Sequence, residues 1–250
     1  MNSMFRKMSV SGIHSLQALA DLCFPPSCLN CGISLQQSAI LFCDSCFAKI
    51  KFIHKPYCPC CGIMFLSGEN HLCALCLKKS WHFTRARSII VYNAPAAKAI
   101  LGLKFGGRKA ALKTFAKFKQ QCSPCGDLVT PDCIIPVPLH SNRLRQRGFN
   151  QSLLLARAFF PDEKKKIKKT ALQRRRDTVS QTGLDGLSRR RNMRDAFLVH
   201  KGTEVYGKKI VLVDDVFTTG TTVNECARAL KQAGAAQVDV LTLARVAKNR

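Results

Sequence analysis

Acidic side chains are scarce in this chain. Only 15 Asp and Glu stand against 40 Lys and Arg over 250 residues, for a formal net charge of +25. Surface solvation accounts for part of that excess. The remainder favours polyanionic partners: nucleic acid, phosphorylated metabolites or an anionic surface. Long apolar runs are missing too. No stretch reaches the length of about 18 residues that a membrane-spanning helix needs, so no span is expected. A clean secretory signal is also lacking. Arg6 and Lys7 are followed by a weakly apolar stretch that His14, Gln17 and Asp21 interrupt. Leu22-Cys23 has the look of a lipoprotein cleavage site, but Leu22 is too large for the position before the cysteine. The expectation is a short amphipathic helix over 1–23, ended by Pro25-Pro26, in a cytoplasmic protein. The 46% hydrophobic content suffices for one full domain with a small appendage.

Cysteine, by contrast, is abundant and ordered. Eight of the 14 form four regularly spaced Cys-x-x-Cys pairs: Cys28/Cys31, Cys43/Cys46, Cys58/Cys61 and Cys73/Cys76. Each member of the first four recurs thirty residues later, and Gly32-Ile33 recurs as Gly62-Ile63. The region 24–80 is therefore an internal duplication. Two tight turns of paired thiolates build a tetrahedral zinc site, and four sulfur ligands close it to catalysis, so structural zinc is expected. Disulfides would require an oxidising compartment. Local chain closure favours each quartet forming its own site, giving about two zinc ions, although spacing also permits interleaving. Cys60, Cys133 and the lone Cys122/Cys125 pair are read as structural.

The chemistry concentrates at Ile210-Val-Leu-Val-Asp-Asp-Val-Phe-Thr-Thr-Gly-Thr-Thr222. An unalternated apolar run reads as a strand buried on both faces. Asp214 and Asp215 would lie at its carboxyl end, where open α/β sheets bind ligands. A helix is expected from about Val223 to Ala233, so the Thr218–Thr222 loop joins strand to helix. Its amides and hydroxyls suit a phosphate at a helix N-terminus. No Lys follows Gly220, which excludes a Walker motif. The segment resembles the phosphoribosyl-pyrophosphate (PRPP) motif of type I phosphoribosyltransferases. Two acids suit ribose hydroxyls and the loop suits a 5′-phosphate.

The rest of the chain alternates strands and helices. Strands are expected at Arg87–Tyr92, Cys133–Val137, Ile167–Leu172, Phe197–His200, Lys209–Asp214 and Val238–Ala244. Helices are expected at Ala96–Lys104, Lys109–Gln121 and from Gln151 to about Phe160. This order predicts a mostly parallel α/β sheet over 81–250. Two basic segments stand out. Pro138–Gln151 follows a strand end and carries Arg143, Arg145, Arg147, Asn150 and Gln151, a set suited to pyrophosphate oxygens. Arg174–Arg194, with Arg189 and Arg190, reads as a basic flap over a ligand, or as a nucleic-acid tether. Trp81, Phe149, Phe159 and Phe160 could stack bases or serve the core.

Together these motifs resemble the ComF family of bacterial competence-related proteins. The matching residues are the cysteine pairs of 28–76, PVPLH from Pro136, RGFNQ from Arg147, SQTGLDGLSRRRN from Ser180 and VDDVFTTGTT from Val213. The resemblance implies a Rossmann-like type I phosphoribosyltransferase fold with an N-terminal zinc-ribbon-like region. It implies a role in using imported DNA, with single-stranded DNA and other DNA-uptake proteins as partners. It also implies PRPP, or another ribose 5-phosphate compound, bound with Mg²⁺. On that reading Asp214 and Asp215 hold the ribose hydroxyls as the catalytic acids, and Val216, Phe217, Thr218, Thr219, Gly220, Thr221 and Thr222 hold the 5′-phosphate. Arg143, Arg147, Asn150, Gln151, Arg189 and Arg190 serve the pyrophosphate. The implied reaction is displacement of pyrophosphate from ribose C1 by a nitrogen or similar nucleophile. No motif marks a catalytic base or an acceptor pocket. A non-catalytic DNA-binding accessory with an adapted PRPP site is the alternative.

Overall fold

A computed structural model describes residues 25–36, 40–175 and 196–247. The helix expected over 1–23, and Arg189 and Arg190 with most of the basic flap, lie outside them. Two short helices, α1 (Asp44–Phe47) and α2 (Ala74–Lys78), belong to the cysteine-rich region. Then follow β1 (Arg85–Val91), α3 (Ala94–Phe105), α4 (Ala111–Gln120), β2 (Cys133–Pro136), α5 (Ser141–Arg147) and α6 (Gln151–Phe159). The chain continues through β3 (Leu172–Arg174), β4 (Phe197–Val199), β5 (Lys209–Phe217), α7 (Thr221–Gln232) and β6 (Gln237–Arg245).

The main sheet has the order β1-β6-β5-β2, and every pairing in it is parallel. β5 and β6 are central and apolar on both sides, as a covered parallel sheet requires. Val211 and Val213 enter one core cluster with Phe115, Phe118 and Leu155 of α4 and α6. Ile210 and Leu212 enter the other with Val223, Cys226 and Leu230 of α7. Past the diacid this alternation inverts: Val216 packs on the first cluster and Phe217 on the second. β3 and β4 form a separate antiparallel pair. The strand expected at Ile167–Leu172 is reduced to one bridge, Ile134 to Ile167. Lys164–Lys166 instead form a 3₁₀ turn.

The cysteine-rich region covers the free edge of β1, which would otherwise offer unpaired backbone groups. Ile53 N–H donates to Ile89 O at 3.0 Å, and Val91 N–H donates to Lys51 O at 2.8 Å. The first repeat lies on the α4 side. Leu41 N–H donates to Thr114 Oγ1 at 2.9 Å, and Phe42 stacks with Phe118 at 6.1 Å between centroids. The second repeat lies on the other side, where Ala86 N–H donates to Cys60 O at 2.7 Å. Cys60 thus packs structurally, outside the cysteine quartets. Cys122 and Cys125 form a disulfide, and Cys133 is buried in β2.

Candidate functional site

β5 runs three residues further than the sequence suggests, so Asp214 and Asp215 lie within it. Both carboxylates are buried. Asp214 Oδ1 accepts from Ser152 Oγ and from Asp215 N–H, each at 2.9 Å. Burial, then the neighbouring Asp215 charge, push the Asp214 carboxyl up to about 7. Asp215 is paired differently. Lys104 Nζ, from the last turn of α3, reaches its Oδ2 at 2.6 Å. Two carboxylates side by side can accept vicinal hydroxyls or hold a hydrated cation, with Lys104 as a counter-charge.

The Thr218–Thr222 loop follows directly. Gly220 takes the left-handed conformation, with φ +74°, and as N-cap of α7 offers no side chain. Among the described side chains Thr219 Oγ1 alone accepts from the first turn, from Thr221 N–H at a long 3.4 Å. The first-turn amides of α7 therefore face a place suited to an anion. Thr218 and Thr219 are exposed, and the Thr219 and Thr221 hydroxyls meet at 2.9 Å. A Cβ on Gly220 would lie 2.5 Å from Phe217 Cζ and 3.0 Å from Trp81 Cζ3. Phe217, expected at the phosphate, is thus corrected: it is 1% exposed, and its ring supports the loop from below. Val216 is half-buried against the first core cluster. Both belong to the strand, because burial on both sheet faces continues past the acids.

The two cysteine quartets close sequentially. Cys28, Cys31, Cys43 and Cys46 form one group, and Cys58, Cys61, Cys73 and Cys76 the other, with the sulfur atoms of each within 4.8 Å of one another. The duplication extends to single hydrogen bonds. Gly32 N–H donates to Cys28 O at 3.0 Å, and Gly62 N–H to Cys58 O at 2.8 Å. Four thiols at this spacing cannot all ionise without a cation among them. In the second group, the hydrogen bond from Cys61 is the main cause pulling Cys58 down to about 4, while Cys61 itself is raised. N–H donors reach these sulfurs from outside, as around a zinc–thiolate centre. Asn30 Nδ2 donates to Cys46 Sγ at 3.2 Å, Trp81 Nε1 to Cys76 Sγ at 3.2 Å, and Arg245 Nη2 to Cys61 Sγ at 3.4 Å. The donor set fits structural zinc.

Similarity to known proteins agrees with both halves of this description. The double zinc ribbon domain matches residues 19–77, and the phosphoribosyl transferase domain matches residues 152–250. Competence protein F of Haemophilus influenzae is 31% identical over 228 residues, covering 87% of this chain and 96% of its own. The chain belongs to the ComF family. DNA utilization protein YhgH of Escherichia coli O157:H7 is 34% identical, covering 90% and 99% of the two chains. Competence protein ComFC of Bacillus subtilis is 28% identical, covering 81% and 83%.

Within this ComF chain the RGFNQ segment does more folding work than the sequence suggests. Pro138–Gln151 is not an open loop, because Ser141–Arg147 form a helix that Gly148 ends at φ +77°. Asn150 is the N-cap of α6: its Oδ1 accepts from Ser152 N–H at 2.9 Å, while its Nδ2 donates to Val137 O at 3.0 Å. Gln151 is buried and accepts from Arg147 Nη1 at 2.5 Å. Asn150 and Gln151 thereby hold the loop rather than face solvent. Arg147 is the member that feels the diacid's charge, while its own contacts are Gln151 and the Phe105 ring. Burial lowers its proton affinity, and the Asp215 charge opposes that. Arg143 lies half-buried beside it. Phe159 and Phe160 are core, and Trp81 stacks on Phe83 at 4.9 Å. Sequence reasoning missed Lys104 and Ser152. The available signal for Lys104 was a cation one turn after Ile100 on the buried face of α3.

Proposed function

We propose that the chain binds PRPP, or a related ribose 5-phosphate compound, at the carboxyl end of β5. The carrying observation is the buried Asp214–Asp215 pair, followed within β5 and one short Thr-Gly loop by the start of α7. Asp214 and Asp215 would hold the ribose hydroxyls. The Thr218–Thr222 loop would hold the 5′-phosphate through amides and hydroxyls. Arg147 and Arg143, with Arg189 and Arg190 from the basic flap, would face the pyrophosphate, and Lys104 would exchange Asp215 for ligand charge. Mg²⁺ bound with PRPP would supply charge neutralisation at the pyrophosphate. In this reading the protein's contribution is positioning and electrostatic complementarity.

The names of its relatives, competence protein and DNA utilization protein, support a place for this activity in the use of imported DNA. The net charge of +25 supports a second, electrostatic interaction with single-stranded DNA. The deciding experiment is calorimetric titration of PRPP, with and without Mg²⁺, into the zinc-loaded protein. Binding is expected for the wild type, and a loss of roughly tenfold or more for the Asp214→Ala/Asp215→Ala variant. Equal affinity in the two proteins sinks the assignment.

A further inference from the structure

The sequence marks no acceptor pocket, yet a cleft of about 580 Å³ opens beside the phosphate loop. Met64, Leu66 and Leu75 of the second ribbon line one side, and Thr218, Thr219 and Val246 line the other. The size is that of a small-molecule site. Its wall is apolar where a protein surface is usually polar: Leu66 is fully exposed, and Leu75 is 37% exposed. Phe65 and His71 border it as a stacked pair, with ring centroids 3.9 Å apart and planes within 6° of parallel. Lys78, Lys79 and Arg245 also line it, and among the described residues no carboxylate does.

We propose that this cleft holds the base of a nucleoside 5′-phosphate. The proposal rests on the ribose-phosphate reading of the Thr218–Thr222 loop and adds the part of the ligand that the loop cannot recognise. A flat heteroaromatic ring matches an apolar wall bordered by stacked rings, because every base has a π-face and edges that take hydrogen bonds. The three cations of its described lining select a neutral or anionic ligand over a cationic one. Thr218, Thr219 and Thr221 line the cleft and belong to the loop, so one molecule can occupy both. The second ribbon thereby becomes one wall of a binding site, while the first ribbon packs on α4. No single stretch announces the cleft, because its walls come from residues 63–79, 217–221 and 245–246.

The test is calorimetry on the zinc-loaded full-length protein, with ribose 5-phosphate and the four ribonucleoside 5′-monophosphates as probes. At least one nucleotide is expected to bind on the order of tenfold more tightly than ribose 5-phosphate. Leu75→Glu and, separately, Leu66→Glu should abolish that gain and leave zinc content and ribose 5-phosphate affinity unchanged. Those two controls report folding for each variant. The cleft assignment is overturned if ribose 5-phosphate binds and no nucleotide binds better, or if the gain survives both substitutions. Failure of ribose 5-phosphate itself to bind removes the ribose-phosphate reading and this one together. Loss of oligothymidylate binding in the variants, with no effect on any mononucleotide, would make the cleft a strand groove and also overturn it.

Discussion

Gly220 is the residue where ligand loop and core meet. Its φ of +74° disfavours any side chain, and a Cβ would collide with the Phe217 ring. Gly220→Ala should cost about 2 kcal/mol or more in unfolding free energy, from backbone strain plus overpacking. It should also weaken PRPP binding, since the ring can yield only by moving the loop. Denaturant unfolding and calorimetry check both; an unaltered unfolding midpoint refutes the packing argument. Asp214 offers a pH-dependent counterpart. Its carboxyl is raised from 3.8 to about 7, so the folded state holds that proton more tightly than the unfolded chain. The cost of burying the carboxylate is absent below about pH 4, grows up to pH 7 and is complete above it. Asp214→Asn should therefore raise stability above pH 7, by roughly 4 kcal/mol at most, and leave it unchanged near pH 4. Thermal unfolding across that range decides the point, and a gain largest at low pH would reverse the sign of the argument.

At the scale of elements, the two ribbons are copies with different neighbours. Cys31 of the first is exposed, whereas Cys61 of the second is buried. Arg245 closes β6 by donating to Cys61 O at 2.6 Å, and its guanidinium lies 4.3 Å from the centre of the Phe217 ring. Cys31→Ser and Cys61→Ser should each remove one zinc equivalent per chain, since each breaks one closed quartet. Only Cys61→Ser should also weaken PRPP binding. Elemental analysis paired with calorimetry tests this, and equal effects on PRPP would deny the second ribbon its special position. The repeat itself was legible from spacing, as were β5, α7 and the parallel order of the sheet, because each is written in local pattern. The difference between the copies was not, because it depends on Arg245 meeting Cys61 across the fold. Lys104 escaped for the same reason: its partner Asp215 is more than a hundred residues away, and periodicity reports a buried face without naming what it meets. The extent of β5 was misjudged because two acids ordinarily end a strand, and here Ser152 and Lys104 allow them to stay inside one.

For the whole molecule, charge is the dominant property. Among the described residues no helix is long and apolar enough to cross a membrane. Forty basic side chains should give DNA binding that falls steeply with salt and depends little on sequence. Arg147 lies within the field of Asp215, with Arg143 near it, and one set of arginines cannot neutralise two polyanions at once. PRPP with Mg²⁺ is therefore expected to weaken binding of a single-stranded oligonucleotide several-fold in fluorescence anisotropy at fixed ionic strength. Undiminished DNA binding at saturating PRPP would move the DNA surface away from the ligand site.

Trp81 gives the molecule an optical consequence. It is the only tryptophan in the chain. Its indole N–H points at Cys76 Sγ, Lys79 Nζ lies 3.7 Å from its ring centre, and its edge lies beside Gly220. One chromophore thus touches the second metal quartet and the phosphate loop. Intrinsic emission should change when a chelator strips the second ribbon and change again, in the loaded protein, when a 5′-phosphate settles on the loop. Damage confined to the first ribbon should leave the emission dark to the event, so a single wavelength would tell the two copies apart.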